Sequence, residues 1–526
     1  MKKFILFSLS IVFGMGLFAQ TDFYYLGDGK RVDCKIKKDM VVFKCQPQTD
    51  IDALVEQDLF TFVHRYRKDL VIATIDTLKS NLEIVKNHRD ISDVTYALEC
   101  SGEIQMPNGN IFLRMKGGIS PETLLDDAGL TPLVEKVELF NPYSQIYKVC
   151  LNVPLGDILQ ISRDLYELNR CEFVEPSFIL LMKPPITHSH DTNSFHSNPP
   201  SKNPSNTNPY YPYQWGLHND GTYPSSGPHP ANPGTDIKAE GAWNITKGDP
   251  NIKIAVLDEG VQLDHPDLEA NILKELGYDV FEDTMNTGYY GNCNPGDNHG
   301  TLCSGVICAL DNDIGIVGIA PNCKIVSVRI AYKTGCKSDL PGGDCSWWTD
   351  DEWIAQAITY AYETAKVDIM SIAWQRPLAY QVVIDAFANA VKYGRNGKGC
   401  IVTVAAGNGG ECDLCFPAYL DEVIAVNGIF ADGESYGCCG YSLDVTAPAV
   451  AIYTTDVNST YVLETGTSLS APLVSGVAAL MLSVNPTLTW QQVHYIIEST
   501  TQKHFWGPNV DDFTYIDDPE GHPNGL

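Results

Sequence analysis

Between residues 251 and 484, five short apolar runs alternate with stretches of helical periodicity, and few folds accept that pattern. The runs are NIKIAVLD (251–258), CKIVSVRIA (323–331), VDIMSIAW (367–374), CIVTVAAGN (400–408) and DEVIAVNGIF (421–430). They are too evenly apolar for strands with one wet face. Residues 351–366, 379–393 and 469–484 carry apolar side chains at three- and four-residue spacing and read as helices. A strand buried on both faces shows as a nearly continuous apolar run, and helices are what cover it. The expected fold class is therefore α/β, a mostly parallel sheet with helices on both faces. In such sheets chemistry gathers at the carboxyl ends of the strands.

The rest of the chain divides by composition. At 526 residues it is too long for one average domain. Lys2 and Lys3, an apolar stretch from Phe4 to Leu17 and Ala19 have the grammar of a secretory signal peptide over residues 1–19. Residues 20–183 read as a small α+β unit, with strands at 110–116 and 146–153, a helix at 155–168 and a closing strand CEFVEPSFILLMK. Residues 23–45 read as a separate β-hairpin. Residues 184–209, dense in Pro, Asn, Ser and His, are an exposed linker, because they cannot bury enough apolar surface to offset their ordering. His188, His190 and His196 belong to that solvated stretch rather than to a metal site. The final unit spans 210–526 and stops at GHPNGL, which suggests a C-terminal truncation.

A formal charge of -29 argues against nucleic acid, since phosphates need a basic face. It suits a soluble protein, with or without bound calcium. Sixteen cysteines behind a secretory leader point to disulfides and to a secreted or cell-envelope location. Cys412 and Cys415 form a CxxC, but without a second ligand pair they suggest a local disulfide or structural thiols rather than zinc. Beyond the leader, no run of about 18 apolar residues predicts a membrane span.

Four positions carry candidate chemistry. Asp258 ends an apolar run, where a carboxylate is costly unless paired. His299 starts a helix of small residues, HGTLCSG. Asn408 lies among glycines after a strand, placed to donate an amide hydrogen to a developing oxyanion. Ser468 opens the apolar helix TSLSAPLVSGVAALML, whose N-terminus supplies free N–H groups. Each alone reads as a cap, a turn or a core residue. Together, in the order Asp, His, Asn, Ser, they describe an activated hydroxyl beside a pocket for negative charge.

The segments IAVLDEGVQLDHPDL, HGTLCSG, AAGNGG and GTSLSAP resemble the subtilisin-like (subtilase) serine peptidases over residues 205–505. The resemblance implies a serine endopeptidase acting on polypeptides, with no cofactor for catalysis. Asp258 would support His299, His299 would take the proton of Ser468, and Asn408 would hold the oxyanion. Ala373, Trp374 and Gln375 would form one wall of the cleft, binding peptide as an added strand. Asp267 and Asn312 match calcium ligands, and calcium would be structural. Cys303 resembles the buried free thiol of proteinase K-like relatives, which leaves ten later cysteines, an even number. Glu259 replaces the small hydroxyl residue usual after the Asp. YGNCNPGDNHGTLCSG and VDIMSIAWQ look closer to the kexin/furin branch. Yet Gln375-Arg376-Pro377-Leu378 follows, and Glu411 and Asp413 do not make an arginine-reading pocket. Residues 110–183 resemble a propeptide whose closing strand leads to the cleft, so that the chain's own prodomain acts as an intramolecular inhibitor removed by a cut between 183 and 210.

Two other readings compete. An inactive, subtilase-shaped binding protein would be expected to lack a triad residue, and none is missing. An α/β-hydrolase esterase would need a GxSxG elbow and the order Ser, Asp, His, and neither is present.

Overall fold

The computed structural model describes residues 22–51, 53–54, 60, 62–75, 82–182, 208–223, 229–281, 291–294, 296–333, 347–410 and 414–502. The leader, residues 184–207 of the linker with its histidines, Glu411, Cys412, Asp413 and the segment from 503 onward lie outside the described residues.

The first part of the chain forms β1 (Asp22–Tyr25), β2 (Arg31–Cys45), β3 (Phe62–Arg65), β4 (Leu70–Thr74), β5 (Ile91–Cys100), β6 (Glu103–Met115), β7 (Val134–Asn141), β8 (Ile146–Leu151) and β9 (Cys171–Met182). Helices α1 (Pro121–Asp127) and α2 (Ile158–Glu167) belong to it. All of these strands join one sheet, and every pairing among them is antiparallel. The hairpin expected at 23–45 exists as β1 and β2, but it is not separate. β2 also pairs with β4 and β5, because its buried residues Met40–Phe43 need cover from both neighbours.

The second part supplies the parallel sheet. Its strands are β10 (Lys253–Asp258), β11 (Tyr278–Asp279), β12 (Lys324–Arg329), β15 (Ile369–Ile372), β16 (Ile401–Ala405), β17 (Ile424–Ile429) and β19 (Val445–Pro448), all paired in parallel. Short β18 (Ser435–Tyr436) adds antiparallel to β17, while β20 (Ile452–Asp456) and β21 (Thr460–Glu464) form a hairpin. The longer helices are α3 (His299–Cys308), α4 (Asp351–Glu363), α5 (Gln381–Gly397), α6 (Thr467–Val484) and α7 (Trp490–Thr500). Regular geometry in α5 ends before Gly394, where the backbone leaves helical angles.

Side chains along each parallel strand go to opposite cores, as the two-residue period requires. Ile254, Val256, Ile369 and Ile401 pack with residues of α3 and α6. Ala255, Leu257, Met370, Ile372, Val402 and Val404 pack with α4 and α5. This is why the runs read as continuously apolar. By length and composition α6 could cross a membrane, yet 78% of that stretch is buried and it packs on α3 and on β15, β16 and β17.

Two more strands, β13 (Tyr332–Lys333) and β14 (Trp347–Asp350), leave the parallel sheet and join the first one. There β14 runs antiparallel to β9, with Trp347 opposite Met182 and Asp350 opposite Ile179. The two parts also share one core, since Tyr24, Phe178 and Ile179 pack in the same cluster as Trp353, Val383 and Phe387. Ion pairs span the junction: Arg67–Asp350 at 2.9 Å, Lys148–Glu352 at 2.5 Å and Arg114–Asp385 at 2.6 Å. Glu175 accepts from the backbone N–H of Gln381 at 2.9 Å, at the first turn of α5.

In α3, Gly305 lies against the β20 strand, and a Cβ there would sit 2.2 Å from Thr455 Oγ1. Gly305→Ala is expected to destabilise the fold by about 1–3 kcal/mol through overpacking. A lowered thermal midpoint of the full chain checks it.

Candidate active site

Asp258 is the last residue of β10 and is fully buried. His299 is the first residue of α3. Its Nδ1 lies 2.8 Å from Asp258 Oδ2 and 3.0 Å from Oδ1. A carboxylate buried without a partner is unfavourable, and this imidazole answers it. Burial works against the charged imidazole, but the Asp258 charge, with Cys303 and the Asp258 hydrogen bond, holds His299 well above its ordinary pKa. Gly300 allows the approach, because a Cβ there would lie 2.2 Å from Gly260 O and 3.1 Å from Asp258 Cβ.

The other imidazole nitrogen, Nε2, is buried and makes no hydrogen bond; none to Ser468 is formed. The ring of Trp347 stands edge-on to His299 at 5.6 Å and shuts it from solvent. Ser468 is the second residue of α6, and its backbone carbonyl accepts from Cys303 Sγ at 3.3 Å. Asn408 follows β16 and turns its Oδ1 to Thr467, whose N–H and Oγ1 donate to it at 2.8 and 3.0 Å. That pairing sets the amide's acceptor end, so the NH₂ end is the donor. Asn408, Ser468, Ala373, Trp374 and Gln375 line one cavity of about 550 Å³, shared with Leu181 and Met182 at the end of β9.

A hydroxyl and an amide donor on one cavity, with an imidazole–carboxylate pair linked to the same helix start through Cys303, are the groups that acyl transfer uses. The family comparison decides the class. The subtilase family model matches residues 249–515. The chain belongs to the subtilase family.

It is thereby a serine-type endopeptidase by class. Thermitase of Thermoactinomyces vulgaris is 36% identical over 271 residues, 51% of this chain and 86% of that one. A thermophilic serine proteinase of Bacillus sp. (strain AK1) is 34% identical over 279 residues, 52% of this chain and 61% of that one. Subtilisin E of Bacillus subtilis (strain 168) is 32% identical over 256 residues, 48% of this chain and 60% of its own length. Among solved structures, a protease of Pseudoalteromonas arctica PAMC 21717 is similar with 24% identity and a TM-score of 0.45, over 57% of this chain and 93% of that chain.

Several parts of this subtilase's site escape sequence reading. Glu259 Oε1 accepts the His299 backbone N–H at 2.6 Å and the Lys333 ammonium at 2.9 Å. It thus caps α3 at its catalytic end, which accounts for a carboxylate where a small hydroxyl is usual. Burial raises its pKa, against the pull of Lys333. The only sequence signal was its place beside Asp258. Trp347 and Thr467 gave none.

Asp267 is fully buried; its Oδ2 accepts from Ile316 N–H at 3.0 Å and its Oδ1 has no hydrogen-bond partner. Burial pushes its carboxyl up to about 6, against the Ile316 N–H and the Tyr461 and Asn312 side chains. Asp267 Oδ1 is the oxygen left open to a hard cation; Asn312 Oδ1 accepts from Ile314 N–H at 3.1 Å and would have to turn from it to become a ligand.

The expectation of widespread disulfides needs correction. Cys34 and Cys100 are joined across β2 and β5, and Cys439 is also disulfide-bonded. Among the described residues Cys293, Cys303, Cys308, Cys323, Cys400 and Cys438 carry free thiols, so the later cysteines other than Cys303 do not all pair. Most are buried and act as small apolar side chains. Burial raises the thiol pKa of Cys323 to about 11 and that of Cys400 to about 12.

Glu259→Ala should cost about 3 kcal/mol by stranding Lys333 and the first N–H of α3, and Glu259→Gln less, because it keeps an acceptor. Denaturant unfolding of both in a Ser468→Ala background, which cannot autolyse, checks the order.

Proposed function

We propose that this chain is an active, secreted serine endopeptidase, made as a precursor whose first part blocks the cleft until it is cut away. The observations that support the reading are the Asp258–His299 pair, its link through Cys303 Sγ to the Ser468 carbonyl, and the cavity that Ser468 shares with Asn408. In the reaction, His299 Nε2 takes the hydroxyl proton as Ser468 Oγ attacks the substrate carbonyl. Asp258 stabilises the resulting imidazolium. The Asn408 NH₂ and the Ser468 N–H at the start of α6 hold the oxyanion. His299 then protonates the leaving amine, and water hydrolyses the acyl-enzyme by the same path in reverse roles.

Residues 20–183 act as the prodomain. In support, β9 lies antiparallel along β14 as an extended peptide would, and delivers Leu181 and Met182 to the cavity beside Ser468. The chain then passes into the linker, so self-processing between 183 and 210 follows directly after the strand that fills the cleft. Ala373, Trp374 and Gln375 form the facing wall. The leader at 1–19 directs export to the secreted or envelope side.

Asp267 and Asn312 hold structural calcium in this reading. Calcium would supply charge compensation for the buried carboxylate and tie the 312–316 loop to the body; it takes no part in the reaction.

Ser468→Ala is expected to abolish both peptide hydrolysis and self-processing, seen as an uncut precursor by mass spectrometry; unchanged hydrolysis would remove Ser468 from the mechanism and favour an inactive, subtilase-shaped binding protein. Asn408→Ala should lower kcat by about 10²–10³-fold. Asp267→Ala should remove a calcium-dependent rise in thermal midpoint that the parent chain shows, read against EDTA.

A further inference from the structure

The prodomain brings a second element to the cleft, and it is charged. The turn between β5 and β6, Ser101 and Gly102, lines the Ser468 cavity together with Glu103. Ser101 and Gly102 both have positive φ, 50° and 85°, which makes the tight turn that projects Glu103 there. Glu103 meets Arg376 side-on: Oε1 lies 3.2 Å from Arg376 Nε, and Oε2 lies 3.1 Å from Nη2. Gln105 Nε2 donates to the same Oε2 at 3.1 Å. Arg376 follows directly on the cleft wall Ala373–Gln375, and its backbone N–H donates to Phe416 O at 2.8 Å. Its Nη1 bonds to Asp351 at the first turn of α4. The guanidinium is wholly buried between the two carboxylates.

These two partners have different fates. Asp351 belongs to the peptidase part and stays. Glu103 belongs to the part that leaves on maturation. Its departure strands the Nε and Nη2 donors, aimed at the cavity beside Ser468. Planar, bidentate recognition of a carboxylate is what a guanidinium edge is built for, and unmet buried donors are costly. Asp350 and Glu352 face Arg67 and Lys148 elsewhere on the junction, so Glu103 is the acidic group that the prodomain places in this cavity among the described residues.

We propose that Arg376 reads an acidic side chain of the substrate near the scissile bond, and that Glu103 occupies that subsite in the precursor. The mature enzyme is a peptidase with a preference for Glu or Asp at one fixed subsite. The inference rests on the peptidase function proposed above.

The test uses the matured full-length product. Cut sites on an unbiased peptide mixture are mapped by mass spectrometry, and kcat/KM is compared for peptide pairs differing only by Glu or Gln at the enriched position. The expected Glu-to-Gln ratio is on the order of tenfold or more, the range of a hydrogen bond to a charged group. In Arg376→Met the ratio should fall to about one; because it is taken within each variant, a general loss of activity cancels. Should Arg376→Met fail to fold, Asp351→Asn, which removes the competing carboxylate, should raise the ratio. An equal rate for Glu and Gln peptides at every position in the parent enzyme overturns the inference while leaving the peptidase standing. So does enrichment of Lys or Arg, since Asp350 and Glu352, uncovered once Arg67 and Lys148 leave, would then outweigh Arg376. Cleavage of no peptide overturns the peptidase reading itself, and this inference with it.

Discussion

A parallel sheet covered on both faces has almost nowhere to put a polar side chain except at the ends of its strands. Here the strands from Lys253–Asp258 to Ile424–Ile429 send alternate residues into two separate apolar cores, and neither core has room for charge. Asp258 sits at the last position of its strand, and Asn408 just past the end of another. The helices that cover one face begin at the same edge, with His299 and Ser468 in their first turns. The buried Asp258 carboxylate then requires a partner, and His299 is the group within reach. Geometry that serves nucleophilic catalysis is thus also what the burial of this sheet permits.

The first part of the chain is built against that edge by different forces. Its contacts combine a shared apolar core with charged pairs whose members come from opposite sides of the junction: Arg67 with Asp350, Lys148 with Glu352, Arg114 with Asp385 and Glu103 with Arg376. Paired buried charges contribute less net stability than apolar packing of the same volume, but losing one partner leaves the other exposed to a large penalty. Such a junction holds firmly while both sides are present, and separating them would leave Asp350, Glu352 and Asp385 without these partners.

Around His299 a set of neighbouring groups holds the arrangement in place. Glu259 fixes the helix end, Lys333 fixes Glu259, and Thr467 orients Asn408. Trp347, on the strand that receives β9, covers the imidazole. Cleft, cover and the strand paired with β9 are parts of one continuous arrangement.

Local pattern alone determined a good deal. Apolar runs placed five strands of the parallel sheet and helical spacing placed α4, α5 and α6, because each of these signals depends only on neighbours in the chain; Asp258, His299, Asn408 and Ser468, at strand ends and helix starts, stood out only as a set. The strands Ile91–Cys100 and Val134–Asn141 went unread, since mixed polar sequence commits to a strand only once a partner covers it. Several cysteines among the described residues keep free thiols, because pairing depends on which thiols the fold brings within reach. Only the tertiary structure could decide that Glu103 meets Arg376 across 273 positions, that Glu259 caps the helix of His299, or that Met182 lies beside Trp347. Contacts of that kind are set by how whole layers pack, and nothing in a short window of residues encodes them.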